Sequence, residues 1–300
     1  MIDFSYKVLE RIDEQKYRKV YTLMWIALRI LCNLFYPLEC KIKKPNTEHQ
    51  CNEITDKEVI VSFTTFPARF HRIRPVIETL IRQSVKPTKI VLWLAENQFR
   101  DRSIVDKEIG SYYKYGVEVR YCEDLRAHKK YYYSILENPE AIVITVDDDI
   151  LYPSFLVEKL LLKHMEYPNC VVANRAHYMK RDENGLLSYE EWDHRARGKQ
   201  GPSEYLIATG CGGCLYPPKC FSDHIFEKEV LKSICLLADD IWLKCMEYLV
   251  GTKVVLTGVD NPEMIDLIGN KKTGLAQVNI GSYQNDEQMK AVSNHYNIIW

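Results

Sequence analysis

The sequence predicts an α/β fold, a helix-covered and largely parallel sheet preceded by an N-terminal helical extension. Three observations predict it. Short runs rich in Val, Ile and Leu, at Glu58-Val-Ile-Val-Ser-Phe-Thr-Thr65, Lys89-Ile-Val-Leu-Trp-Leu94 and Ala141-Ile-Val-Ile-Thr-Val146, alternate with segments of helical apolar spacing. The last of these runs is apolar on both faces, as a central parallel strand covered by helices requires. A chain of 300 residues with 46% hydrophobic and 27% charged side chains can also bury a sizeable core.

Taken in order, residues 1–19 are polar with helically spaced Phe4, Val8, Leu9 and Ile12. Val20 to Leu38 is the most apolar stretch, close to the ~20 residues that span a bilayer. Arg29 in its middle and Asn33 one turn later are costly in hydrocarbon, while Lys16, Arg18 and Lys19 precede it and Lys41, Lys43 and Lys44 follow. Two readings stand, a helix lying in a membrane interface and a helix packed on the following domain; a spanning helix is the third. Residues 1–44 thus read as a helical, membrane-associating or domain-packed segment, 45–57 as a linker, and 58–300 as the main domain.

In that domain the strand at 58–65 leads to a helix from Ile73 to Gln83, then to strands at 89–94 and Val117–Tyr121. A helix from His128 to Leu136 precedes the central strand, and another runs from Ser154 to Tyr167. Cys170–Ala173 reads as a strand, Arg181–Pro202 as a long loop or hairpin, Ala238–Leu249 as a helix and Val254–Leu256 as a last strand. In such sheets ligands sit beyond the carboxyl ends of the strands.

The net charge of −1 gives no footprint of a nucleic-acid partner. Ten cysteines lie scattered, mostly in apolar runs, and Asp3, Glu10, Asp13 and Glu14 precede the first apolar stretch. Reduced thiols, no signal peptide and a cytoplasmic location, peripheral at the inner face of the cell membrane, are the expectation.

Chemistry concentrates after the central strand, at Asp147-Asp148-Asp149. Three adjacent carboxylates at a buried strand end repel one another and resist desolvation, and a hard divalent cation, Mn2+ or Mg2+, offsets both. On an extended backbone Asp147 and Asp149 face one way and Asp148 the other, so the pair can serve one metal while the loop also meets a ribose. Ala238-Asp-Asp-Ile-Trp242 places two more carboxylates at a helix start, where N-capping alone explains them.

The run Thr145-Val-Asp-Asp-Asp-Ile-Leu-Tyr-Pro153 resembles the DXD region of family 2-like GT-A glycosyltransferases. Val61-Ser-Phe-Thr-Thr-Phe-Pro-Ala-Arg69 is similar to the first strand and nucleotide loop of bacterial surface-polysaccharide members, and the order of motifs extends over about 58–290. The resemblance implies a GT-A fold, a Rossmann-like nucleotide-binding mixed sheet flanked by helices. It implies a nucleotide-sugar donor, UDP-sugars foremost, a divalent metal on Asp147 and Asp149, and a glycan or lipid-linked acceptor hydroxyl. By the same resemblance Asp240 is the base of an inverting enzyme and Asp239 orients the acceptor. Thr64, Thr65 and Glu96 are implied in base and ribose contacts, although Leu94-Ala-Glu-Asn97 departs from the Asp that many members carry there. Arg69, Lys129 and Lys130 supply positive charge near the donor, Asp147 and Asp148 touch it, and Gly212 and Gly213 allow close backbone approach to sugar or acceptor. Asn279 and Asn285 sit in a tail that folds over the donor; His295 is left out of the metal set. Two other readings remain: a nucleotidyl- or phosphotransferase using the same acidic site, and a non-catalytic membrane-associated scaffold.

Overall fold

A computed structural model describes residues 1–45, 54–183, 185–259, 261–269 and 284–300. Helices α1 (Ile2–Glu10) and α2 (Arg18–Ile42) precede β1 (Val59–Thr64), the short α3 (Pro67–Phe70) and α4 (Arg74–Leu80). Then come β2 (Lys89–Ala95), α5 (Arg102–Ile109), β3 (Val117–Cys122), α6 (Lys129–Glu137), β4 (Ile142–Thr145) and α7 (Leu156–Glu166). The second half holds β5 (Val171–Ala173), β6 (Ala176–Tyr178), β7 (Arg181–Asp182), β8 (Gly185–Leu186), β9 (Leu206–Ala208) and β10 (Cys214–Tyr216). It closes with α8 (Lys228–Ile234), α9 (Asp239–Leu249), β11 (Val254–Leu256) and α10 (Gln284–His295).

The central sheet has seven strands in the order β11-β5-β10-β4-β1-β2-β3. All neighbours run parallel except β10, which is antiparallel to both β4 and β5. This is the mixed, helix-flanked sheet that the sequence resemblance implied. Sequence periodicity had no purchase on β10: a strand of three residues lies within a Gly- and Pro-rich stretch read for the close backbone approach of its glycines. Its direction matters, because Cys214 opposite Thr145 puts the start of β10 beside the end of β4. The glycine turn before β10 and the aspartates after β4 therefore meet.

Strand alternation divides the core. Val59, Val61 and Phe63 face α4 and α7, packing with Ile77, Leu80, Val157 and Leu160. Ile60, Val91 and Trp93 face the other way toward Tyr133 of α6. On that side a buried chain of polar groups sets the height of α6: Trp93 Nε1 donates to Ser134 Oγ at 2.8 Å, Ser134 to Ser62 Oγ at 2.8 Å, and Ser62 to the Lys130 carbonyl at 2.5 Å. The first turn of α6 is thereby fixed at the carboxyl edge of the sheet.

α1 and α2 are not set apart from the domain. Together they clasp residues 263–268. Tyr6 donates to the Leu151 carbonyl and accepts from Ile265 N–H; Tyr21 accepts from Glu263 N–H; Trp25 Nε1 donates to the Met264 carbonyl. Arg29, the residue that seemed costly in an apolar helix, forms an ion pair with Asp266, and Asn33 hydrogen-bonds the Asp266 carbonyl and Ile268 N–H. Each of the nine described cysteines is a free thiol.

Candidate functional site

A cleft of about 550 Å³ opens at the carboxyl edge of the sheet, lined by the loops after β1, β3 and β4, the turn before β10 and the start of α9. Its floor holds five carboxylates, Asp147, Asp148, Asp149, Asp239 and Asp240, with Arg69 and Lys130 between them. Arg69 reaches the floor because α3 begins directly after β1 with Pro67 in its first turn, and Phe70 packs edge-on against Phe99 at 5.1 Å. Its Nη1 lies 2.7 Å from Asp148 Oδ1 and 3.0 Å from Asp149 Oδ2. Asp148, buried, also accepts from Thr65 Oγ1 at 2.5 Å.

Lys130 occupies the other side of the floor, from the first turn of α6. Its Nζ lies 2.8 Å from Asp147 Oδ1 and 3.0 Å from Asp239 Oδ2. Burial works against the ammonium, but Asp147, Asp239 and Asp240 together hold its pKa well above the usual lysine range. Asp239 and Asp240 head α9, where the N-terminus of the helix favours negative charge. Burial raises Asp239 and Lys130 more than offsets it, so its carboxyl falls below the ordinary range. Asp240 goes the opposite way: burial and then the Asp239 charge push it up, against Lys130. One Asp240 oxygen accepts from Gly210 N–H at 3.0 Å.

The turn before β10 is locked to the acidic loop by Tyr152, which accepts from Asp147 N–H at 2.8 Å and donates to the Cys211 carbonyl at 3.1 Å. A Cβ on Gly210 would sit 2.7 Å from Lys130 Nζ, so any larger residue there would displace the ammonium from its place among the carboxylates.

Sequence expectation and structure can be set side by side. Thr64, Thr65, Arg69, Lys129, Lys130, Asp147, Asp148, Asp149, Asp239 and Asp240 all line the cleft. Residues 148 and 149 form a turn rather than an extended strand, and Asp149 shares Arg69 with Asp148, which corrects the strict alternation expected for the three aspartates. Asp148 does face inward, while Asp147 and Asp149 keep side-chain exposures of 31% and 22%. Lys129 points to Asp124 at 2.6 Å, not toward the aspartates after β4 or at the head of α9. Glu96 is exposed and outside the cleft lining; Gln98, two residues on, lines it and donates to Asp124 Oδ2 at 2.8 Å. Gly212 comes close to the Arg175 backbone and Gly213 packs on Leu156, while Gly210 is the glycine that lies against Lys130, Asp147 and Asp240. Asn285 lines the cleft; Asn279 lies outside the described residues.

Other lining residues carried no signal in the sequence: Asp124, Arg126, His177 and Tyr189. Asp124 accepts from Arg126 N–H at 3.0 Å and holds Arg126 in the left-handed region at φ 52°. His177 and Tyr189, with ring centroids 5.7 Å apart, form an aromatic wall in the second half of the cleft.

A divalent cation can be weighed against this donor set. Among the described residues no group of three His, Cys, Asp or Glu side chains forms a ready metal cage. Burial, followed by the nearby Asp147 charge, lifts Asp149 to about 7 despite Arg69. That excess of negative charge on two partly exposed, hard-oxygen side chains fits a magnesium- or manganese-type ion whose shell is completed by phosphate and water.

No family model and no curated protein matches the chain. Among solved structures it is similar to a mannosyltransferase from Pyrobaculum calidifontis in complex with GDP-Man and Mn2+, at 15% identity, 92% of this chain, 75% of that one and a TM-score of 0.48. It is also similar to S. aureus TarS in complex with UDP-GlcNAc (14% identity, 69% and 56% covered, TM-score 0.44). A third is a 4-diphosphocytidyl-2C-methyl-D-erythritol synthase (9% identity, 75% and 99% covered, TM-score 0.42). At these identities and scores the functional conclusion has to come from the site itself.

Proposed function

We propose that the chain is a glycosyltransferase that moves a sugar from a nucleotide-activated donor to an acceptor hydroxyl, with inversion. The observation that carries this reading is Asp240. It is a half-buried carboxylate of raised basicity, anchored through one oxygen by Gly210 N–H, in the same cleft as the acidic loop after β4. A general base is most effective when its pKa is drawn toward the working pH, and this environment does that.

The chemistry is a direct displacement. The acceptor oxygen bonds to the anomeric carbon while the bond from that carbon to the diphosphate oxygen breaks, and the diphosphate leaves with the electron pair. The hydroxyl proton passes to Asp240. Asp239 stays charged beside Lys130 and holds the head of α9 in register with the acidic loop. Arg69 fixes the turn that presents Asp149, and Thr65 fixes Asp148. Asp147 and Asp149 would hold Mn2+ or Mg2+, which supplies charge stabilisation for the leaving diphosphate. The nucleoside belongs over β1 and β2, where Thr64 and Gln98 line the cleft and Asp124 and Arg126 close its far end. The acceptor belongs on the Asp240 side, against Tyr189 and His177, rings suited to a sugar face. Motif resemblance to surface-polysaccharide enzymes points to a glycan or lipid-linked acceptor.

The test is a donor screen: UDP-, GDP-, CMP- and dTDP-sugars with manganese, magnesium or EDTA, reading released nucleotide and thermal shift. One donor should give metal-dependent release that Asp149→Ala abolishes while the variant stays folded. Absence of stabilisation by every nucleotide with metal present would sink the reading. Release of pyrophosphate from a nucleoside triphosphate, with no nucleoside diphosphate from any sugar donor, would assign nucleotidyl transfer instead.

A further inference from the structure

α2 leaves most of its apolar surface uncovered. Helices on a soluble domain turn their apolar stripe to the core and their polar residues to water. Here the side facing the domain buries Leu28, Cys32 and Tyr36 and also carries Tyr21, Trp25, Arg29 and Asn33, one turn apart, all hydrogen-bonded to the 263–268 segment. The opposite side presents Leu23 (69% exposed), Ile30, Leu34 (62%), Leu38 and Ile42 (83%) to solvent. It is long and apolar enough to cross a membrane by length and composition, yet only 17% of its most apolar window is buried.

We propose that this exposed face docks on an anionic lipid bilayer and that α2 lies in the plane of the interface. Three observations select that occupant. Lys16, Arg18 and Lys19 at one end and Lys41, Lys43 and Lys44 at the other are exposed, which suits a negatively charged plane. A second copy of the chain is disfavoured by the same residues: with both ends basic, pairing α2 with itself in either direction brings like charges together. Crossing the bilayer is disfavoured by Arg29 and Asn33, which would have to leave Asp266 and enter hydrocarbon.

The docking surface is one segment away from the acidic loop. The residues that α2 clasps pair in turn with that loop: Leu267 N–H donates to the Asp149 carbonyl at 2.7 Å, and Leu151 N–H donates to the Ile265 carbonyl at 2.8 Å. Docking would therefore hold the cleft close to the lipid surface.

Flotation of the full chain with phosphatidylcholine vesicles, with and without about 30% phosphatidylglycerol, tests the proposal without donor or metal. Its failure therefore leaves the glycosyltransferase reading standing. The chain should float with the anionic vesicles. Binding should weaken at least about 10-fold without phosphatidylglycerol or at about 0.5 M salt, and about 100-fold in Leu23→Glu/Leu34→Glu. Alkaline carbonate should release the bound chain. Since both leucines face away from the domain, the variant should keep the wild-type circular dichroism. If it does not fold, Lys16→Gln/Arg18→Gln/Lys19→Gln takes its place and should weaken anionic binding at least about 10-fold. No flotation of wild type, undiminished flotation of the variants, resistance to carbonate, or a dimer that the leucine variant dissolves would each overturn it.

Discussion

The two sides of the cleft floor solve the same electrostatic problem differently. On the Arg69 side, one planar guanidinium meets Asp148 and Asp149, neighbours in sequence, and Thr65 adds a hydrogen bond from the same loop region. On the Lys130 side, a compact ammonium faces carboxylates from two segments about ninety residues apart, Asp147 after β4 and Asp239 on α9, with Asp240 close enough to feel its charge. The first arrangement fixes the shape of one loop. The second joins two halves of the fold around more negative charge than it neutralises, and the surplus appears in Asp240.

Removing the cation should separate the sides most sharply. Lys130→Met leaves Asp147, Asp239 and Asp240 facing one another in a buried site, a change expected to cost about 3–5 kcal/mol of stability. Urea denaturation would read it, and a loss below about 1 kcal/mol would mean that the ammonium is not what holds α9 to the β4 loop. Asp240→Asn is the converse. It deletes the surplus charge but keeps the Gly210 hydrogen bond, so stability should hold or rise while turnover falls about 10²–10⁴-fold. Retained turnover in that variant would remove Asp240 from the role of base.

Arg69→Lys probes the other side. Nη1 alone meets both carboxylates, and the shorter, flexible lysine stem with its strongly hydrated ammonium does not hold a charge at that point. The expected loss is roughly 2–3 kcal/mol in stability, with Asp149 displaced and metal affinity reduced in calorimetry. A variant as stable as wild type would place the organisation of the turn in Thr65 alone.

The same contrast explains which parts of the site were legible in the sequence. Asp147 to Asp149 and Asp239 to Asp240 stand out because acidic runs beside apolar strands and helices violate the burial pattern. Strands β1, β2 and β4 were legible for a related reason: apolar runs bounded by polar turns leave little choice. What sequence hid was adjacency. That Lys130 bridges two acidic segments depends on how α6 and α9 pack, and that the glycine turn joins them depends on the antiparallel β10, whose three residues are too few for periodicity. Among Gly210, Gly212 and Gly213, only tertiary packing decides that the first lies over Lys130. Gln98 and Asp124 come from different strand ends and meet only because β2 and β3 pair in parallel. α5 escaped notice because Val105 and Ile109 are its only buried residues, too few for an apolar stripe.

The smallest effect concerns pH and again falls on the Lys130 side. His128 precedes Lys130 and is buried, its Nε2 2.9 Å from the Cys235 carbonyl and its Nδ1 2.7 Å from the Tyr131 hydroxyl. A carbonyl can only accept, so Nε2 carries the proton and Nδ1 accepts from Tyr131. Protonating Nδ1 would turn the Tyr131 hydroxyl from donor to acceptor and place a charge in a buried site, and burial lowers the pKa from 6.5 to about 4. Because the folded value lies below the unfolded one, the contribution is complete above pH 6.5 and is lost as pH falls toward 4. Asp149, raised to about 7, works with the opposite sign, gaining a proton in the folded state first as pH falls below neutrality. The clean readout is therefore a difference, not the wild-type curve alone. His128→Gln can donate to Cys235 and accept from Tyr131 without titrating. Relative to it, wild type should lose on the order of 2 kcal/mol between pH 7 and 4, measured by denaturation in EDTA. Parallel pH profiles for the two proteins would mean that His128 is protonated in the fold at little cost, and that the start of α6 is wetter than its packing implies.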